Sequence, residues 1–210
     1  MRHGARRRRQ QGFTLIEVMM ALAVMTVGAM GIMALQQATT RGNGSARQMT
    51  LATDATRTWL ERMHRDSMRW TQPGTSGLTG ASGPVYLSNV PNPGEGPSGW
   101  FTPVHPDPPA DFTESYGFDY QGRDTFDADE MRYCTHLNMR WLDAGDTIQV
   151  RARTWWHRRG AGSDEDISDR RRFPDCGRGA EDAVTAALDG GDNRIRAVYA
   201  TTVVRWHLMP

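Results

Sequence analysis

Apolar residues are concentrated in one long run near the N terminus, and the rest of the chain mixes polar and apolar positions. The run extends over residues 13–35 and contains one charged residue, Glu17. As a helix with a rise of about 1.5 Å per residue, this run is about 34 Å long, enough to cross a hydrocarbon core of roughly 30 Å. The pattern therefore predicts a membrane-crossing helix over residues 13–35.

A second helical pattern continues over residues 36–70. Its apolar and small residues recur at steps of three and four, the spacing of one helix face: Met49, Ala52, Thr56, Trp59, Met63, Ser67 and Trp70. We expect this amphipathic helix to continue into a folded domain and to pack its narrow face on a sheet of that domain; a partner-binding stripe is the alternative. Gly42 and Gly44 each lower helix stability by about 1 kcal/mol, so a kink or soft spot is expected at 42–44.

Residues 71–210 have the pattern of a β-sheet domain. Residues 131–142 and 148–156 alternate apolar and polar positions on either side of an Asp-Ala-Gly-Asp turn, which predicts a β-hairpin. Residues 196–208 predict a last strand. Residues 71–130 are rich in glycine, proline and aromatic residues, and we expect a mostly ordered long loop with one or two short strands. A long N-terminal helix packed on an antiparallel sheet is an α+β architecture.

The positive charge of the chain is concentrated at its start. All 25 basic residues are arginines, and five of them lie within residues 1–9. Residues 13–210 carry 20 basic and 24 acidic residues, a net charge of about −4, so they offer little electrostatic basis for binding nucleic acid. Because positive residues stay on the cytoplasmic side of a membrane helix, the domain after residue 35 is predicted to lie outside the cytoplasm.

Two common explanations of a basic start followed by an apolar run fit less well. A secretory signal peptide has an apolar stretch of about 7 to 15 residues that ends at a small-residue cleavage site, and this run is longer and is followed by polar helix. A plain signal anchor accounts for length and orientation but leaves Glu17 unexplained, because charges inside a membrane segment are costly and usually functional.

The residues Gly12-Phe13-Thr14-Leu15-Ile16-Glu17 closely resemble the class III signal of type IV pilins and type II secretion pseudopilins. The resemblance covers residues 1 to about 70 and implies the pilin fold. It implies that a dedicated prepilin peptidase removes the leader 1–12 by cutting between Gly12 and Phe13, and that the new N terminus at Phe13 is then N-methylated. The family also has a glutamate at the position of Glu17. Because a carboxylate and a cationic amine lower each other's desolvation cost, we expect Glu17 to pair with the terminal amine of a neighbouring subunit and to set the register between packed helices.

The resemblance implies a structural subunit with no cofactor, which is an enzyme's substrate and not itself an enzyme. The segment from Gly28 to Gln36 looks most like PilV-type minor pilins, which implies a role in assembling or priming a type IV pilus. Expected partners are other pilins and minor pilins, the peptidase and the inner-membrane assembly platform. The expected location is the inner membrane, with the domain in the periplasm, and then the pilus. A minor pseudopilin and a tip adhesin-like binding subunit are the alternatives.

The remaining candidate chemistry is sparse. Cys134 and Cys176 form an even pair in an exported domain, which predicts one disulfide. Four acidic residues precede the hairpin: Asp124, Asp127, Asp129 and Glu130. Oxygen-rich groups of this kind bind calcium, but the spacing matches no calcium loop, and a solvated acidic turn is the preferred interpretation. The histidines show no metal-ligand spacing, and no catalytic motif is present. We therefore expect no metal site and no catalytic residues.

Overall fold

The computed structural model describes residues 13–70, 78, 83–110, 112–158, 173–192 and 194–206. The leader, including Gly12, lies outside the described residues, as does the end of the last predicted strand. The chain divides into two compact units, one up to Arg47 and one from Gln48 onward.

The first unit is helical and exposed throughout its described part. Helix α1 spans Leu15–Trp70, so its N-terminal portion belongs to this unit. Every residue from 13 to 47 is exposed, including the large apolar side chains of the predicted membrane segment. The hydroxyl of Thr26 donates to the carbonyls of Leu22 and Ala23, both at 2.8 Å, so this polar group is satisfied inside the helix. Helical structure continues through residues 42–44, and the glycines there do not end the helix.

The second unit contains a five-stranded antiparallel sheet, which confirms the predicted α+β class. Its order is β2-β1-β3-β4-β5, and its strands are β1 (Gly117–Phe118), β2 (Asp124–Thr125), β3 (Tyr133–Asp143), β4 (Thr147–His157) and β5 (Ile195–Arg205). The β3–β4 pair is the predicted hairpin, and β1 and β2 are the short strands expected in the long loop. Gly145 closes the hairpin turn with φ +83°, a value that favours glycine.

One face of the sheet packs on the C-terminal part of α1. Trp59 and Met63 of the helix are fully buried, together with apolar residues from β3 and β4: Leu137, Met139, Ile148, Val150 and Ala152. A buried hydroxyl contact joins the two layers, with Thr56 Oγ1 of the helix 2.7 Å from Thr154 Oγ1 of β4. The helix therefore covers the sheet of its own domain, as the main interpretation of the stripe predicted.

The boundaries of the predicted stripe were partly wrong. Met49 is exposed and Ser67 is only half-buried, whereas Asp66 is buried. The Asp66 carboxylate accepts hydrogen bonds from the backbone N–H groups of residues 85, 86 and 87, at 2.7, 2.8 and 2.9 Å. These bonds attach the start of the long loop to the helix, and they explain why a charged residue replaces an apolar one on the buried face.

The second face of the sheet is also covered over much of its area, which the alternation of apolar and polar residues did not predict. A second helix, α2 (Glu181–Asp189), lies in a region to which the sequence pattern assigned no element. Its Val184 packs in a second apolar cluster with Trp155, Phe173 and Ile195. Polar residues of the strands are buried on this side as well, including His136 and Arg153.

Candidate functional site

The predicted processing segment lies at the exposed start of the first unit. Phe13 and Thr14 precede the helix, and Phe13 is 82% exposed. The Thr14 carbonyl accepts hydrogen bonds from the N–H groups of Glu17, at 3.1 Å, and Val18, at 3.3 Å, so helical bonding begins immediately after Phe13. The described side of the Gly12–Phe13 junction is therefore non-helical and exposed.

Glu17 lies in the first turn of α1, and its side chain is exposed. A carboxylate in the first turn is favourable because the N-terminal end of a helix carries partial positive charge. Phe13 and Glu17 are four residues apart at this end of the chain. The segment therefore presents a carboxylate close to the site at which cleavage would create a cationic amine.

The exposed surface that follows Glu17 is almost entirely apolar. The helix is long and apolar enough to cross a membrane by length and composition, and none of its most apolar stretch is buried within the chain. Gly28 and Gly31 have no atom within 4 Å of where a Cβ would lie, so nothing in the described chain requires glycine at either position. An exposed apolar surface of this extent requires lipid or other helices around it.

A family model of the prokaryotic N-terminal methylation motif matches residues 7–33. The match includes both sides of the Gly12–Phe13 junction, Glu17 and most of the apolar run. The N-terminal region of this protein is type IV pilin-like. No curated protein and no solved structure matches the chain.

The motif implies that this pilin-like protein is processed by prepilin peptidase. It also implies assembly with other pilins in general. Together with the apolar helix, the motif fits a membrane-anchored pilin. The motif covers only the N-terminal region and does not extend to the sheet domain.

The predicted cysteine pair is joined on the second face of the sheet. Cys134 of β3 and Cys176 form a disulfide with a Cα–Cα distance of 5.1 Å across a sequence separation of 42. Cys176 adopts a left-handed conformation with φ 57°, as does the preceding Asp175 with φ 50°. The disulfide attaches the segment before α2 to the sheet.

A buried polar cluster beside the disulfide was not found from the sequence. The Arg153 guanidinium donates to Nδ1 of His136 at 2.9 Å, to the Thr185 hydroxyl at 2.8 Å and to the Glu181 carbonyl at 3.1 Å. Because arginine can only donate, Nδ1 must be the acceptor of the imidazole. Nε2 then carries the proton and donates to the Cys176 carbonyl at 2.7 Å. The cluster thus connects the hairpin to α2 and to the disulfide loop.

Burial and the neighbouring Arg153 lower the pKa of His136 to about 4, although its bond to the Cys176 carbonyl acts in the opposite direction. Burial also lowers the pKa of Arg153. Burial raises the pKa of Glu181, but hydrogen bonds from its own backbone, from Thr102 and from Gly179 lower it by a larger amount. The pKa of Glu181 therefore lies below its usual value. His136 is thus neutral at physiological pH, which allows the arginine beside it to remain charged.

The acidic residues before the hairpin do not converge. Asp124 pairs with Arg62 of α1, and Asp127 accepts a hydrogen bond from the backbone of Asp129 at 2.9 Å. Within the described ranges, no group of three or more histidine, cysteine, aspartate or glutamate side chains is placed to hold a metal ion. Asp124 and Asp127 are thus engaged with other residues of the second unit.

Proposed function

We propose that this protein is a minor pilin of a type IV pilus, of PilV type, that takes part in pilus assembly or priming after leader cleavage and N-methylation. The observation that supports the proposal best is the methylation motif, whose apolar part forms an exposed helix. In this proposal, the helix holds the subunit in the inner membrane with the sheet domain in the periplasm, and later packs among other pilins. The inner-membrane assembly platform supplies the machinery for that transfer.

The first step is cleavage between Gly12 and Phe13 by prepilin peptidase, followed by methylation of the Phe13 amine. The non-helical start of the described chain supports this step, because a protease binds its substrate in an extended form and would otherwise have to unwind helix. The five arginines of the leader remain cytoplasmic, which would place the junction at the cytoplasmic face of the membrane.

The second step is registry. Cleavage leaves a cationic amine at Phe13, and the start of a helix is an unfavourable place for a positive charge. A Glu17 carboxylate of an adjacent subunit would neutralise that amine in an apolar environment. Removing one partner of such a buried pair typically costs about 3–5 kcal/mol, because the other charge is left uncompensated. The pairing would thus set the stagger between helices.

The registry step is tested by the substitution Glu17→Gln, with Glu61→Gln as the matched control. Glu61 is an exposed glutamate on the same helix but outside the apolar run. We expect Glu17→Gln to leave cleavage and membrane insertion intact and to reduce the amount of this subunit in sheared pilus fractions by at least tenfold. Immunoblots of membrane and sheared fractions measure both quantities. Equal incorporation of the two variants would refute the registry role.

A type II secretion pseudopilin carries the same N-terminal motif and is the competing assignment. A deletion strain separates the two filaments. Loss of surface pili with normal protein secretion supports the minor pilin proposal, whereas normal pili with defective secretion would replace it with the pseudopilin assignment. Electron-microscopic pilus counts and the protein content of culture supernatants are the two measurements.

A further inference from the structure

An open cleft lies on the second face of the sheet, next to the C-terminal end of α2. Its volume is about 400 Å³, and its walls come from the loop before β1, from β4, from α2 and from β5: Trp100, Arg151, Arg153, Thr185, Asp189 and Tyr199. All of these residues belong to the second unit. The cleft plays no part in cleavage, methylation or helix packing.

Two arginines and one tryptophan form the floor of the cleft. Arg151 and Arg153 are two residues apart on β4, so their side chains leave the same face of the sheet. Their guanidinium carbons lie 5.5 Å and 4.3 Å from the centre of the Trp100 ring. The buried cluster with His136 holds Arg153 in place, whereas the Arg151 side chain is exposed. The cleft therefore combines one fixed cation with one accessible cation.

The charge of this cleft is incompletely balanced. Within the described part of the chain, the carboxylate that lines it is Asp189, and no ion pair joins it to either arginine. One exposed cation is thus available on a chain whose residues 13–210 carry a net charge of about −4. A long polyanion would meet repulsion outside the cleft, while a short segment with one or two carboxylates would not.

The aromatic residues point to a protein partner. Tyr199 is 52% exposed on β5, and its ring meets the Trp100 ring edge-to-face with centroids 6.1 Å apart. Val203 lies four residues after Tyr199 on the same face of β5 and is also exposed. Tryptophan, tyrosine and arginine are the residues enriched at the energetic centres of protein interfaces. An open shape also suits a protruding chain segment better than an enclosed small molecule.

We propose that this cleft docks an acidic segment of a partner protein, with a carboxylate on Arg151 and an apolar side chain against Tyr199. The inference holds for a pilus subunit and for a pseudopilus subunit alike, because it depends only on the sheet domain. Asp189 opposes the docked carboxylate and limits the affinity.

The test uses the full chain in detergent micelles and a fluorescent synthetic peptide in which glutamate alternates with valine, with glutamine in place of glutamate in the reference peptide. Fluorescence anisotropy measures the dissociation constant. We expect Arg151→Glu to weaken binding of the glutamate peptide roughly tenfold and Asp189→Asn to strengthen it, a pair of opposite effects that follows from charge at the cleft. Arg57→Glu changes the same charge at an exposed position of α1 and serves as the matched control.

Binding should also weaken as salt increases, because the pairing is exposed to solvent. Equal binding of the two peptides, or equal losses for Arg151→Glu and Arg57→Glu, would overturn the proposal. Tighter binding of a single-stranded oligonucleotide or of polygalacturonate than of the peptide would overturn it as well, since the cleft would then be a polyanion site. Opposite effects of the two cleft variants rule out misfolding as the cause.

Discussion

The buried carboxylate of Asp66 offers a stringent test of how the sheet domain is held together. Asp66 is 6% exposed, and it accepts three backbone hydrogen bonds, at 2.7, 2.8 and 2.9 Å, from residues 85–87. The substitution Asp66→Ala leaves these three N–H groups without their acceptor. Asp66→Asn keeps one oxygen acceptor and removes the charge.

The magnitude follows from the environment of each donor. A hydrogen bond to a charged group contributes about 1.5–3 kcal/mol, so three such bonds amount to roughly 4.5–9 kcal/mol before compensation. Water can replace the carboxylate at Val85 and Tyr86, which are both half-buried, but Leu87 is fully buried. Loss of the buried charge also returns its desolvation cost. We therefore expect Asp66→Ala to lower the free energy of unfolding by about 3 kcal/mol and Asp66→Asn by about half as much.

Urea unfolding of the full chain in detergent micelles, followed by tryptophan fluorescence, measures this loss, since Trp59 and Trp70 lie in the affected core. Asp54→Ala is the matched control, because Asp54 is an exposed aspartate of the same helix and gains the same helix propensity on substitution. The reasoning is refuted if the free energies of unfolding of Asp66→Ala and Asp54→Ala differ by less than about 1 kcal/mol.

Two further predictions concern the second face of the sheet. The pKa of a histidine is about 6.5 in the unfolded chain and about 4 for folded His136, so unfolding takes up a proton between these pH values. The free energy of unfolding should therefore decline by roughly 3 kcal/mol as pH falls from 6.5 to 4. Urea unfolding over this range should show a smaller decline for His136→Gln, and an identical decline would contradict the neutral buried imidazole. Replacing Cys134 and Cys176 together by alanine should lower the free energy of unfolding by about 4 kcal/mol, the chain-entropy estimate for a closed loop of this length. If urea unfolding gave the same free energy for the oxidised protein and for the double variant, the disulfide would not stabilise the fold.

Features with strong periodicity were predictable from the sequence. The hairpin followed from strict alternation in β3 and β4, and the end of α1 at Trp70 followed from loss of the three-and-four spacing. The disulfide followed from an even cysteine count combined with the expectation of export. These features depend on local patterns or on simple counting, which a single sequence displays directly.

Features that depend on partners distant in sequence were not predictable. Nothing near Arg153 in sequence indicates that a histidine, a helix and a carbonyl will satisfy its donors, so its place in the alternation indicated a polar face. Asp66 is a charged residue on the buried face of the helix because its carboxylate oxygens accept hydrogen bonds from a loop about twenty residues away in sequence. Helix α2 did leave a weak signal, with acidic residues in its first turn, Val184 and Ala187 at helical spacing, and two glycines after Asp189.

The N-terminal site shows the opposite relation. Its predicted residues form a contiguous peptide, which is what a processing enzyme reads, and the methylation motif at 7–33 includes them. The structure adds that Phe13 and Glu17 are exposed and that the helix begins between them. What surrounds these side chains after assembly is supplied by other chains.

Intact-mass analysis of the protein purified from the membranes of its native host tests the central claim most directly. Processing as a prepilin predicts a mature chain that begins at Phe13, carries one additional methyl group on its terminal amine, and retains the whole apolar helix from Leu15. A chain that keeps residues 1–12, or one whose N terminus lies beyond Leu35, would contradict it.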